Sequence, residues 1–321
     1  MSKIRFSLSM AMIVAILMFS HPSCWATWSF QLNNNFNFSK GNLTIENLDR
    51  HRYIGTAVTT DFTASRDFFT YLLTPEVIWT SPDWHIYATV NGSYGWLFDG
   101  KVKKDPLQWK VDGTEKQFNV EVGYIMDVCG RFNFLPHTGF FWDRIDTRLK
   151  HQQETRANPI CYMTNNGNRT RTLFYFPYIG FELNFNKSLP NCKTVQLSMT
   201  YDIGYGGGHG RNTVPFTVIA DAPANSRYGS HIKYRDMIYQ NWNLTFAYEF
   251  AKRWIVGLEL DYYTIYNTHK LPVKLSHNRA IVQSGQFTRS QYHVVSEAIT
   301  QTYGVTFVLN YSFGGEGILI R

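Results

Sequence analysis

Residues 303–313, YGVTFVLNYSF, decide how the fold is interpreted, because they alternate between two unlike faces. One face is apolar and aromatic, with Tyr303, Phe307 and Phe313 among its members. The other face is small and mostly polar, and Val308 is its exception. Successive side chains of a strand point to opposite sides, so this period of two predicts a β-strand. Its apolar face packs either on a soluble core or on lipid, and in a membrane barrel the polar face lines the lumen.

The rest of the chain decides between these two environments. Nine alternating segments follow one another from residue 76 onward, and residues 28–38 supply a tenth, with residues 53–62 in an extended first loop. Short turns and long loops alternate as the connections between these segments, as periplasmic turns and extracellular loops do in outer-membrane barrels. The sequence therefore predicts an all-β fold, an antiparallel transmembrane β-barrel of ten strands. Twelve strands stay possible if residues 268–300 contain another pair.

The N-terminus predicts export to the bacterial outer membrane. Residues 1–26 contain Lys3 and Arg5, an apolar run and Ala26 at the end, which is the pattern of a cleaved signal peptide. A lipoprotein acceptor at Cys24 is the alternative, but the residues before it do not supply the expected context. No later apolar run is long enough for a transmembrane helix. The predicted domains are the signal peptide, a barrel over residues 27–313 and a tail over residues 314–321.

Composition and net charge limit which classes of partner are expected. Aromatic residues make up 17% of the chain, which the aromatic girdles of a membrane barrel would use, although an aromatic-rich soluble β-sandwich is the alternative. Removing Lys3 and Arg5 lowers the formal net charge from +7 to +5. This mild basicity favours outer-membrane lipid and lipopolysaccharide as partners. No basic cluster lies on a recognition element, so no nucleic acid is expected.

Three cysteines follow the predicted cleavage site: Cys129, Cys161 and Cys192. None has the spacing of a zinc site, so neither a metal nor another cofactor is predicted. An exported protein can oxidise its cysteines, and the odd count allows one internal disulfide with a free thiol. The alternative is cross-linking to other envelope proteins.

Carboxylates occupy the positions between the predicted lipid-facing residues. The candidate lumen-lining residues are Glu121, Glu182, Asp202, Glu249, Glu259 and Asp261. In a water-filled lumen they would favour cations at a constriction. If arginines of the loops or rim fold inward, the carboxylates would instead be paired and the lumen plugged. Ten strands make a narrow barrel, so only small hydrophilic solutes or ions are expected to pass.

Three local stretches and the ten-strand layout resemble the omptins, which are outer-membrane endoproteases. The stretches are GSYGWLFDGKVKKDPLQW (92–109), FPYIGF (176–181) and HIKYRD (231–236). The resemblance implies an Asp-x-Asp pair in the second long loop and an Asp-x-His pair in the fourth, which together activate a water. Asp99 matches the first aspartate, but Lys101 stands at the second position and no Asp-x-His surrounds His209. The protease site is therefore predicted to be altered or lost, and no catalytic residue is assigned.

The overall layout and the scattered cysteines also resemble the porin-type Protochlamydia outer-membrane protein family of chlamydia-like bacteria. That resemblance implies diffusion of small hydrophilic solutes and disulfide cross-linking in the envelope. The predicted function is a narrow porin or channel. An omptin-like endoprotease with an altered site and an adhesin or structural barrel are the alternatives.

Overall fold

Ten long strands form the wall of a closed barrel in the computed structural model. The structure describes residues 27–45, 51–53, 56–58, 62–81, 83–104, 107–153, 161–163, 169–189, 193–214, 216–218, 228–251, 253–267, 271–276, 292–294 and 299–313. The wall strands are β1 (Thr27–Ile45), β2 (Phe62–Ser81), β3 (Ile86–Lys104), β4 (Leu107–Tyr124), β5 (Phe132–Gln153), β6 (Arg169–Ser188), β7 (Thr194–Val214), β8 (Tyr228–Ala251), β9 (Trp254–Asn267) and β10 (Ile299–Phe313).

Each wall strand pairs antiparallel with its neighbour in the chain, and β10 pairs with β1. Trp28 lies opposite Phe313 at one end of this closing pair, and Asn42 lies opposite Ile299 at the other. Closure leaves no strand edge with unpaired backbone groups, which a membrane-spanning sheet requires. The prediction of a closed ten-stranded antiparallel barrel is confirmed.

The closing strand has the faces that its alternation predicts. Tyr303, Val305 and Phe307 are exposed on the outside, whereas Thr306 and Val308 are buried inside. The exception to the alternation also has a physical role. Val308 packs with Ala247 of β8 and Ile255 of β9 in a small apolar cluster inside the barrel.

The two regions that left the strand count open do not add strands to the wall. In the first long connection, His51–Tyr53 pairs with Thr56–Val58 as a separate small hairpin. In the last one, Leu271–Ser276 pairs with the start of β8 and with Tyr292–Val294. These short strands extend the long-loop end of the barrel, so ten strands rather than twelve cross it.

Several connections are shorter than the sequence pattern predicts, because the strands continue past the alternating segments. The connection predicted over roughly residues 98–116 is occupied mostly by β3, which reaches Lys104, and by β4, which begins at Leu107. Beyond the lipid, water solvates both faces of a hairpin, so an alternation of apolar and polar residues is no longer required there. The strand ends are therefore polar and resemble loops in the sequence.

The outer surface carries the apolar side chains that a lipid environment requires. Large exposed apolar residues occur on all ten strands; examples are Phe30, Val77, Val90, Phe118, Phe132, Ile179, Leu197, Leu244, Leu258 and Phe307. At the short-turn end, Trp254 packs on Tyr311 with 4.8 Å between ring centroids, and Phe132 packs on Phe185 with 5.2 Å. Such aromatic pairs form one girdle of a transmembrane barrel.

No helix among the described residues is long and apolar enough to cross a membrane. The predicted signal peptide, residues 1–26, and the tail, residues 314–321, lie outside the described residues.

Candidate functional site: an acidic cavity in the barrel lumen

The middle of the lumen contains a polar cavity of about 170 Å³. Seven asparagines line it: Asn33, Asn35, Asn37, Asn91, Asn119, Asn241 and Asn243. Five carboxylates join them: Glu76, Glu121, Asp202, Glu259 and Asp261. Among the described residues that line this lumen cavity there is no lysine, arginine or histidine. The cavity is therefore rich in hydrogen-bond acceptors and carries an excess of negative charge.

The lumen cavity brings together four of the six carboxylates predicted to line the lumen. Glu121, Asp202, Glu259 and Asp261 all face it. Glu182 is fully buried inside the wall nearby but does not line the cavity, and the amide of Asn184 lies 3.5 Å from its carboxylate. Glu249 is half-buried near the short turn between β8 and β9.

Two of these carboxylates are held by one histidine. His137 Nε2 lies 2.6 Å from Asp202 Oδ1, while Nδ1 lies 3.1 Å from the Leu135 carbonyl oxygen and 3.6 Å from Glu121 Oε1. Both ring nitrogens therefore face hydrogen-bond acceptors. Asn241 Nδ2 donates to the second Asp202 oxygen at 3.1 Å. His137 and Asn241 thus occupy the two oxygens of Asp202, and His137 also lies beside Glu121.

Tyrosines and glycines complete this network across the barrel. The hydroxyls of Tyr87 and Tyr178 each donate to Glu121 at 2.8 Å. Both rings lie flat against the wall over glycines, because a Cβ at Gly123 would meet the Tyr87 ring at 2.5 Å and a Cβ at Gly139 would meet the Tyr178 ring at 2.4 Å. Small residues in the wall thus create the space that the tyrosines occupy.

Gly180→Ala should destabilise the barrel through this network. A Cβ at position 180 would come within 2.1 Å of Asp202 Oδ1 and 2.5 Å of His137 Nε2, so the ion pair must separate. We expect a loss of roughly 1–3 kcal/mol in the free energy of unfolding, measured by denaturant titration of the refolded barrel. Gly92→Ala is the matched control, since the nearest atom to its Cβ is 3.9 Å away. Equal stability of the two variants would contradict the geometry of the pair.

An aromatic layer closes the cavity on the side of the long loops. It consists of Phe141, Phe174, Phe176, Tyr178, Tyr234, Met237, Tyr239, Tyr263 and Ile265, from β5, β6, β8 and β9. Tyr239 stacks on Phe141 with 5.0 Å between centroids and on Phe176 with 5.4 Å. The layer members that do not line the cavity lie nearer the long-loop ends of their strands. The lumen is therefore packed at this level rather than open.

The aromatic layer reaches across the whole barrel. The Tyr263 hydroxyl on β9 lies 3.5 Å from Glu115 Oε1 on β4. These strands are five positions apart in a wall of ten, so they stand on opposite sides of the lumen. On the β2 to β5 side, Phe68, Leu97 and Ile145 form a further buried apolar cluster. The two clusters narrow the described part of the lumen at this level.

The residues that carry the omptin resemblance do not converge. Asp99 is exposed at a bulge of β3, where its φ is 47°. His209 lies four strands away on β7 and faces outward, with its ring 6.2 Å from that of Tyr175. Gly208 and Gly210 beside it are the buried positions. Nothing in this arrangement assembles a carboxylate-oriented histidine facing a common groove.

The cysteine and metal expectations are tested only in part. Cys129 is exposed in the turn between β4 and β5 and is a free thiol. The side chain of Cys161 and all of Cys192 lie outside the described residues, so the pairing of these cysteines is not tested. Within the described part of the chain, no group of three or more His, Cys, Asp or Glu side chains has an arrangement that could hold a metal ion.

Sequence reasoning missed several inward-facing polar residues. Glu76, Glu115 and Asp143 are buried on the lumen side, and so is His137. Their strands mix apolar and polar residues on the inner face, since Leu72 and Ile78 flank Glu76 on the same side of β2. Asparagines at alternate positions of the first strand, Asn33, Asn35 and Asn37, were a signal for an amide-rich interior.

The closed antiparallel wall, the apolar outer face and the polar interior define a β-barrel of the outer-membrane type, which implies an outer-membrane location. No protein-family model and no curated protein sequence matches the chain. Among solved structures, the chain is similar to the outer membrane protease OmpT from Escherichia coli, with a TM-score of 0.62, 11% identity, and coverage of 89% of this chain and 97% of that one.

Two further barrels align less well. The transport unit of the autotransporter AIDA-I from Escherichia coli gives a TM-score of 0.42 at 10% identity, over 96% of this chain and 98% of that one. The translocator domain of the autotransporter NalP from Neisseria meningitidis gives 0.40 at 6% identity, over 89% and 88%. At these identities the similarity concerns the fold alone.

Proposed function

We propose that the protein is a narrow outer-membrane channel that admits small cations and excludes anions. The observation that supports this is the lining of the lumen cavity, in which five carboxylates occur with no lysine, arginine or histidine among the described lining residues. Rings of acidic side chains select cations at a constriction. His137 lies outside the lining, beside Asp202 and Glu121.

We infer that the aromatic layer narrows the channel in this conformation. The proposed activity is therefore small, gated conductance of ions or small hydrophilic solutes rather than wide general diffusion. Opening requires the rings of Tyr239, Phe141 and Phe176 to separate. Side chains that only stack can do so without breaking the hydrogen bonds of the wall.

Conductance with a salt gradient tests this function. The refolded protein in a planar bilayer should give small channel steps and a reversal potential on the cation-selective side. The double variant Glu259→Gln and Asp261→Asn should move the cation-to-anion permeability ratio toward one, since it removes two carboxylates from the lining. Asp83→Asn, in an exposed turn, is the control with the same chemical change.

Two outcomes would contradict the channel proposal. A folded barrel that shows no steps over a wide voltage range is not a channel. Anion selectivity, or selectivity that the double variant leaves unchanged, would show that the cavity carboxylates do not lie on the ion path.

We propose lipopolysaccharide and outer-membrane lipid as the partners of the outer surface. Basic side chains face outward near the long-loop ends of β4, β5 and β6: Lys116, Arg144, Arg148 and Arg171. The Asp146 carboxylate forms ion pairs with two of them, Arg144 at 2.8 Å and Arg171 at 2.7 Å. A lipid phosphate would find several cationic donors on this surface.

The exposed thiol of Cys129 supports cross-linking to another envelope protein, as the resemblance to the Protochlamydia family implies.

The aromatic layer also favours a second candidate, in which the function lies in the long loops. A plugged barrel can serve as a rigid base for a surface endoprotease of altered site or for an adhesin. Cleavage of basic peptides that Asp99→Ala abolishes would support the protease. If the folded protein neither conducts ions nor cleaves peptides, adhesion or a structural role would remain as the candidate function.

A further inference from the structure

The carboxylates of the lumen cavity fall into two groups with different partners. Asp202 and Glu121 are held by His137 on the β4 to β7 side. On the other side, Glu259 and Asp261 project from β9 and are held by neutral donors. Asn243 and Thr306 donate to Asp261 at 2.9 and 2.8 Å, and Thr245 donates to Glu259 at 3.1 Å. These donors are neutral, and the side chains of Glu259 and Asp261 also hydrogen-bond each other.

An amide oxygen without a donor faces the same cavity. Asn33 on β1 is only 7% exposed, and its Oδ1 has no hydrogen-bond partner. Its Nδ2 donates to Glu76 at 3.4 Å, which fixes the orientation of the amide. The Asn35 Oδ1 in the same lining also lacks a donor. Both oxygens can accept a hydrogen bond from an N–H group of a ligand in the cavity.

The lining distinguishes an organic cation from a metal ion. The described residues contain no arrangement of three or more acidic, histidine or cysteine side chains that could hold a metal. Tyr239 and Tyr263 form part of the cavity wall beside the acidic residues. Aromatic faces attract organic cations and pack against their methylene groups. A water-sized group needs about 10–15 Å³, so a cavity of about 170 Å³ holds a ligand of several heavy atoms.

We infer that the lumen cavity is a binding site for a small aliphatic ammonium compound. Its ammonium N–H groups donate to Asp261, Glu259 and the Asn33 amide oxygen, and its methylene groups pack on Tyr263. This inference deepens the proposed cation channel, because it names the class of cation that occupies the same cavity.

Calorimetric titration of the folded barrel in detergent tests the site, with 1,4-diaminobutane as the probe. The wild type should show saturable binding that Asp261→Asn weakens by at least about tenfold, which corresponds to about 1.4 kcal/mol. Asn33→Leu, which removes the unpartnered oxygen, should weaken it as well. Asp83→Asn should bind like the wild type, and butan-1-ol should not bind.

Three results would overturn the inference: no saturable binding of 1,4-diaminobutane to the folded wild type, equal affinity of the Asp261→Asn variant, or displacement of the amine by magnesium at equal concentration. The last would indicate a metal site instead. Binding without any conductance would refute the channel and retain this site. Cation-selective conductance without amine binding would refute this site and retain the channel.

Discussion

Tyr239→Ala should open the lumen and raise the single-channel conductance several-fold over the wild type. The ring of Tyr239 is buried between Phe141 and Phe176 at the centre of the aromatic layer, and it also borders the lumen cavity. Removing it connects the cavity with the long-loop end of the barrel. We expect a fall of about 3–5 kcal/mol in the free energy of unfolding, as for other large aromatic residues truncated in a core. Planar-bilayer recording measures the effect directly.

Tyr262→Ala is the matched control for this experiment. Tyr262 lies on the adjacent strand β9 and points outward. Its ring packs on that of Tyr303 with 5.0 Å between centroids. Its loss removes a similar ring from the lipid side and should leave the conductance unchanged. If both variants fold and conduct like the wild type, the aromatic layer is not the barrier in the lumen.

Leu258→Arg should prevent most of the protein from assembling into the bilayer. Leu258 is 40% exposed on the outer face, between the inward-facing Gly257 and Glu259. A basic residue on the lipid face of a barrel costs about 2–4 kcal/mol near the midplane of the bilayer. Heat-modifiable mobility on electrophoresis gives the folded fraction, and denaturant titration in vesicles gives the loss of stability.

Leu258→Ala separates the effect of charge from the effect of size at the same position. It shortens the side chain without placing a charge in lipid, so it should assemble normally with a small loss of stability. Wild-type assembly of Leu258→Arg would show that this face does not contact lipid. The inner and outer faces of the barrel would then have been assigned in reverse.

The alternation of β10 was enough to predict its two faces, because only one side of a barrel strand contacts lipid. The same physical constraint made the six acidic candidates recognisable, since a carboxylate is costly on the lipid side. The extents of β3 and β4 were not predictable in this way. Their ends lie beyond the apolar belt, where water solvates both faces, so their polar sequences resemble loops.

Residues far apart in the sequence decide what the interior can do. The partners of Glu121 come from three different strands, and the contact between Tyr263 and Glu115 crosses the barrel. No local pattern records which side chains meet across a lumen, because those contacts depend on the register and stagger of the whole wall. The sequence therefore left an open and a plugged lumen as equal alternatives.

The sequence by itself determined the fold class. The alternation of apolar and polar residues along each strand, and the separation of short turns from long loops, depend only on residues close together in the chain. Only the tertiary structure decided that an aromatic layer packs inside the lumen, that His137 lies between two of the carboxylates, and that Glu259, Asp261 and Asn33 face one cavity. These features arise from side chains that converge from opposite walls, and only closure of the barrel brings those walls together.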